Sequence, residues 1–213
     1  LRAAVILGKL GRVGEGRNLL AGLTADTDAD RVQVIQAEAQ MLREAKDYKQ
    51  VYDVLSRGLE AMPESPELLY DRAMAAEKLD RLDVLEQDLR LLIRLKPDHA
   101  HAYNALGYTL ADRTDRLAEA IELLDRALKL APDDPFILDS MGWALFKARR
   151  VNEAVDYLKR AFALRPDPEI AAHLGEALWV RGDRDEARRI WQGSLREHPD
   201  NESLRETLGR LQP

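Results

Sequence analysis

Residues 103–132 read YNALGYTLADRTDRLAEAIELLDRALKLAP. Tyr103, Leu106, Gly107 and Leu110 share one side of a 3.6-residue period, and Ala120, Leu124 and Ala127 share another after a break near Asp115. Two short amphipathic segments, with small residues at the contact and a proline at the close, describe a helical hairpin. The phrase returns as Leu138, Met141, Gly142 and Leu145, then Ala154, Leu158, Ala161 and Pro166. It returns again as Leu174, Gly175 and Leu178, then Ala187, Trp191, Ser194 and Pro199.

The prolines supply a ruler for the whole chain. Pro63, Pro97, Pro132, Pro166 and Pro199 follow one another at 34, 35, 34 and 33 residues. Pro66, Pro135 and Pro168 fall shortly after three of them, where a first helical turn tolerates proline; the ninth is Pro213. Small residues recur in the same register at Ala39, Ala73, Gly107, Gly142 and Gly175, with one extra residue before Ala120. Turns are expected near Asp47, Asp80, Asp115, Arg149 and Gly182.

This pattern resembles the tetratricopeptide repeat, a helix–turn–helix of 34 residues with a large residue, Leu, Gly and Tyr on its first helix (A), Ala–Phe–Ala on its second (B) and a closing Pro. The resemblance implies an all-α, right-handed α-solenoid. It divides residues 1–213 into a truncated repeat at 1–29, whole repeats at 31–64, 66–98, 100–134, 135–167 and 168–201, and a capping helix at 202–213. Two repeats depart from the pattern: Ala39 and Ala73 replace the glycine, and Glu38 and Arg72 occupy the usual leucine place. Residues 24–30, TADTDAD, read as a loop carrying a helix cap. Leu7, Leu20 and Leu23 belong to a repeat whose helix A starts abruptly at Leu1, which predicts a segment cut from a longer array and fraying or self-association at that end.

Composition excludes several classes. The charge is 32 − 38 = −6, with no basic run, which disfavours nucleic acid as a partner and membrane contact by this segment. Cysteine is absent, so disulfides and thiol chemistry are excluded. No apolar run approaches the roughly 18 residues that a spanning helix needs. His99 and His101 form the one close histidine pair, with no third ligand spaced to join them, so no metal is expected; no phosphate loop or nucleophile motif stands in the chain, so no cofactor is expected either. The HPD at 198–200 is a proline joint like the KPD, APD and RPD before it.

A binding face remains. In the repeat family, positions 2, 5, 9, 12 and 13 of each helix A line the concave surface where extended peptides or partner helices bind. Here they include Gln36 and Arg43, then Tyr70, Met74 and Lys78, then Asn104, Tyr108 and Asp112. They continue with Phe136, Asp139, Trp143, Phe146 and Lys147, and with Glu169, Glu176 and Trp179. Six of the twelve aromatics therefore fall on this face, where they suit interface anchoring. Repeats that clamp a C-terminal carboxylate use Lys and Asn at concave positions; position 5 here reads Gln36, Tyr70, Asn104, Asp139 and Ala172, with no two-carboxylate clamp, so that mode is disfavoured. Phe146 and Trp179 also suit a packing role, because position 12 often touches a neighbouring helix. Tyr108, Phe136 and Trp143 are the expected anchors, Asn104 and Asp139 the expected hydrogen-bonding groups, and Trp143→Ala is expected to weaken binding with little loss of stability.

The resemblance implies a non-enzymatic scaffold or adaptor for a protein or peptide. NALGYTLADR, ILDSMGWALF and EIAAHLGEALW are most similar to bacterial envelope repeat lipoproteins, some of which bring processing proteases to substrates, so the periplasm or outer membrane is favoured over the cytoplasm. The alternatives are a module that self-associates into a homo-oligomer through its truncated N-terminal repeat, or the regulatory arm of a larger enzyme.

Overall fold

The computed structural model describes residues 1–211. Among them lie thirteen α-helices and no strand. Their contacts divide the chain between Asp98 and His99, just after a proline joint. The first unit holds α1 (Arg2–Lys9), α2 (Val13–Ala21), α3 (Asp28–Glu44), α4 (Tyr48–Ala61), α5 (Pro66–Lys78) and α6 (Leu82–Leu95). The second holds α7 (Ala100–Arg113), α8 (Leu117–Leu130), α9 (Pro135–Lys147), α10 (Val151–Leu164), α11 (Pro168–Arg181), α12 (Arg184–Glu197) and α13 (Glu202–Leu211). The expected capping helix thus reaches Leu211, and Gln212 and Pro213 lie outside the described residues. Within each unit a helix A packs on its own helix B and on the next helix A of the same unit, the arrangement of a helical-repeat stack.

The helix starts follow from local chemistry. Ser65, Asp134 and Asp167 accept hydrogen bonds from first-turn amides of α5, α9 and α11, each with proline next in sequence. His99 does this for α7 through Nδ1, 3.1 Å from the Ala102 amide. α3 begins earlier than the loop expected over 24–30 allows. Thr27 and Asp30 exchange side-chain and backbone hydrogen bonds at 3.1 Å, and this capping box draws Asp28–Asp30 into the helix.

The turns between A and B helices use two devices. Lys46, Asp80, Arg149 and Gly182 adopt left-handed backbone angles, with φ of 58°, 57°, 64° and 106°. The next amide then reaches back to the helix, as Asp47 does to the Leu42 carbonyl and Arg150 to Leu145. The α7–α8 turn contains the extra residue and needs no left-handed position. Thr114 is extended, its hydroxyl donating to the Leu110 carbonyl at 2.6 Å and accepting from the Arg116 amide at 3.1 Å.

Packing between A and B helices depends on small residues. A Cβ added at Gly107 would stand 2.7 Å from Leu124 Cγ, and one at Gly142 would stand 2.5 Å from Leu158 Cγ. At Gly175 it would land on the indole of Trp191, which is fully buried and donates through Nε1 to the Ala172 carbonyl. Trp191 is therefore core, and Tyr157 and Phe162 pack half-buried against Leu138, Ala161 and Ile170. The apolar side chains left exposed are concentrated near the start of the chain, at Leu1, Ile6, Leu10, Leu19 and Leu23.

The two charged residues at the leucine place have partners. Arg72 makes a double hydrogen bond to Asp88 of α6, 2.7 Å to each oxygen, and Asp88 is only 1% exposed. Glu38 accepts from Arg17 of α2 at 2.9 Å, and Arg17 also donates to Gln50. Where the repeat usually places an apolar contact, the first unit places an ion pair.

Both kinds of contact are open to test. Gly175→Ala should lose about 1–3 kcal/mol by overpacking Trp191, whereas Gly209→Ala, with nothing within 4 Å of the new Cβ, should be no less stable in urea than the native chain, because alanine suits an exposed helix position better than glycine. Equal losses for both would contradict the contact. Arg72→Leu alone should cost about 3–5 kcal/mol by leaving the Asp88 charge buried, and Arg72→Leu with Asp88→Leu should recover most of it. A double variant no more stable than the single one would show that the pair is not what holds α5 to α6.

Candidate functional site: an aromatic cluster on the helix-A face of the second unit

Asp139, Trp143, Phe146 and Lys147 stand at i, i+4, i+7 and i+8 of α9 and so share one face of that helix. Trp143 makes contacts on both sides. Its Nε1 donates to Asp112 of α7 at 3.0 Å, and its ring stacks on His173 of α11 with centroids 4.2 Å apart at 19°. Phe146 stacks on the same indole at 5.3 Å. Lys147 completes the group, its ammonium 5.4 Å from the indole centroid and 3.7 Å from Asp112. One tryptophan thereby ties together the three A helices of the unit. Trp143→Ala should for that reason lower thermal stability as well as any affinity, unlike the binding-only effect expected from sequence.

His173 is the residue that sequence reasoning missed. It stands at position 6 of its helix, outside the positions taken as concave. The last A-to-A interval is one residue short, 33 between Pro135 and Pro168, which sets His173 a full 34 residues after Asp139. Its Nδ1 lies 3.0 Å from both Asp139 oxygens, and the Tyr108 ring is tilted against it at 6.5 Å. A lone histidine in the apolar phrase EIAAHLGEALW, one repeat after an aspartate, was the available signal.

Burial is the largest single influence on this imidazole and opposes its protonation. The charge and hydrogen bond of Asp139, with the more distant charges of Glu169 and Glu176, together outweigh it and hold the His173 pKa above the ordinary histidine value.

The other expected residues are placed as follows. Asn104 lies one turn before Tyr108, and its Oδ1 is buried without a hydrogen-bond partner. Phe136 is 43% exposed at the start of α9, two turns from Trp143, with the Arg165 guanidinium 4.9 Å from its ring centroid. Tyr108 and Trp143 thus meet over His173, and Phe136 stands apart. Trp179 is turned toward α12, between Arg184 at 5.0 Å and Arg188 at 5.3 Å and tilted against Trp191. Glu176 accepts from Arg210 of α13 at 2.5 Å. Tyr70 and Met74 lie half-buried on α5 in the first unit. Between them Asp71 accepts from Gln36 at 2.9 Å and Arg43 at 2.8 Å, so that face is joined by polar bonds rather than rings. His99 is occupied as a helix cap, and His101 lies 3.9 Å from Asp134. Among the described residues no three His, Asp or Glu side chains gather as a metal site, and no helix is long and apolar enough to cross a membrane.

Residues 85–135 and 140–205, more than half of the chain, match the family model described as Tetratricopeptide repeat. The chain belongs to the tetratricopeptide repeat (TPR) family. A TPR repeat-containing protein of Pseudomonas aeruginosa, PA4667, is 44% identical over 176 residues, which is 83% of this chain and 30% of the relative. Human tetratricopeptide repeat protein 7A is 29% identical over 53% of this chain and 13% of its own length. The chain therefore spans less than a third of these relatives. Among solved structures, the thermophilic TPR protein TTC0263 of Thermus thermophilus superposes with a TM-score of 0.74 at 23% identity, over 84% of this chain and 98% of that one. PilW, a type IV pilus biogenesis factor, gives 0.70 at 21% identity over 85% and 92%. These two likenesses concern the fold, and TPR folds characteristically serve protein–protein recognition.

The raised pKa makes TPR stability depend on pH. The stabilisation from His173 should be fully present below the unfolded value of about 6.5 and fade as pH rises through the higher folded value. The melting-temperature advantage of the native protein over His173→Gln should therefore shrink from about pH 6 to about pH 9. A constant difference across that range would contradict the assignment.

Proposed function

We propose that this TPR segment is a non-enzymatic scaffold that binds an extended peptide or partner segment on the helix-A face of its second unit. The observation that carries the reading is the gathering of Tyr108, Trp143 and Phe146 beside Asn104, whose buried amide oxygen lacks a partner. Aromatic rings give a partner large contact area at small entropy cost. An unsatisfied buried acceptor gains most from an incoming N–H. Phe136, half-exposed at the edge, extends the surface toward the start of α9. Asp139 and Lys147 take part through the groups they orient, His173 and Trp143. Trp179 belongs to the packing of α11 on α12. Tyr70 and Met74 lie on α5 of the first unit. The narrower role of an envelope protease adaptor is supported by the phrase similarities and is one form of the same reading.

Self-association is the second reading, favoured by the exposed Leu1, Ile6, Leu10, Leu19 and Leu23. An apolar face of that kind suits a contact between copies. Sedimentation that stays monomeric over a hundredfold concentration range would exclude it.

A displayed library of random peptides, selected against the native chain, tests the first reading. Selected peptides should lose about 2 kcal/mol or more on Tyr108→Ala and measurably less on Phe136→Ala, with Trp179→Phe unchanged. Peptides indifferent to both Tyr108→Ala and Phe136→Ala would place binding elsewhere.

A further inference from the structure

The imidazole of His173 cannot turn freely. Trp143 covers one side at 4.2 Å, Tyr108 leans on it at 6.5 Å, and Asp139 holds Nδ1 with both oxygens. Nε2 makes no hydrogen bond among the described residues, and the side chain keeps 14% of its surface exposed. A carboxylate on Nδ1 keeps the proton there when the ring is neutral, so Nε2 is the nitrogen that gains and loses one. Its hydrogen-bonding sense then inverts: charged, Nε2–H is a donor; neutral, Nε2 is an acceptor.

We propose that recognition on this face is proton-linked through His173, whose Nε2 donates to a backbone carbonyl of a bound extended segment only while the ring is charged. The inference rests on the reading that the face binds such a segment. Asn104 Oδ1 would accept an N–H of the same segment, so the two groups together suit a peptide backbone, which offers both. Deprotonation removes the donor and sets two lone pairs against each other, so affinity falls as pH rises.

The surrounding charges support this sense. α9 contributes Asp139 and Lys147, α7 contributes Tyr108 and Asp112, and α11 itself contributes Glu169 and Glu176. Asp112 is paired with Lys147 and Glu176 with Arg210 of α13, and Asp139, Glu169 and Glu176 all favour the charged ring. Arg184 and Arg188 of α12 lie over Trp179.

Ring-nitrogen NMR of the intact chain from about pH 5 to about pH 9 tests the first half. Nδ1 should keep its proton throughout, Nε2 should titrate above about 6.5, and the Trp143 indole N–H should shift with the same midpoint. Asp139→Asn should lower that midpoint by about one unit or more. Library-selected peptides test the second half: they should bind at least about threefold tighter near pH 6 than near pH 8.5. His173→Gln should abolish that ratio, and Asp139→Asn should move its midpoint downward. A neutral ring protonated on Nε2, or an affinity flat in pH, would overturn the proposal. Should Tyr108→Ala and Phe136→Ala both leave peptide binding intact, the binding reading itself falls and takes this one with it. If either variant weakens binding and affinity is flat in pH, only the proton linkage falls.

Discussion

The close approach of helix A to helix B is the constraint from which the remaining structure follows. At Gly107, Gly142 and Gly175 no side chain fits, because Leu124, Leu158 and Trp191 already fill the place a Cβ would take. With the helices that near, one large residue from helix B seals the hairpin, and the outer faces of helix A are released to meet the next repeat and the solvent. The recurring prolines and caps then fix where each helix starts. A shift of one residue in any of them would turn these glycines out of the contact. The one-residue insertion before Ala120 is tolerated because the Thr114 hydroxyl rebuilds the turn without moving Gly107.

Much of this was legible from spacing alone. Small residues, turn positions and proline joints recur at nearly constant intervals, and each has a local physical reason to be where it is. Charged residues in apolar places were harder. Arg72 and Glu38 look like defects of the repeat until Asp88 and Arg17 are seen opposite them, 16 and 21 residues away on other helices. A periodicity argument weighs one helix at a time and has no means of pairing charges across two. His173 was hidden for a related reason: its partners Asp139 and Trp143 lie on a different helix, where the periodicity of its own helix does not look.

The face itself shows how a family surface becomes particular. In the first unit the neighbouring A helices are joined by Asp71 with Gln36 and Arg43. In the second the same task falls to Trp143, which reaches Asp112 on one side and His173 on the other. The indole of Trp143 and the rings stacked on it are thus mechanical ties between helices, so a change to them acts on packing first. Phe136 stands apart under the Arg165 guanidinium, and Trp179 packs instead toward α12.

The cap that His99 places on α7 has a bearing on how the polypeptide unfolds. It closes the start of the second unit with a side chain from that unit, and α13 lays Leu204, fully buried, over its far end. A side-chain cap at the first helix and a buried leucine under the last are two devices that limit fraying at the ends of this unit, where local opening is otherwise easiest.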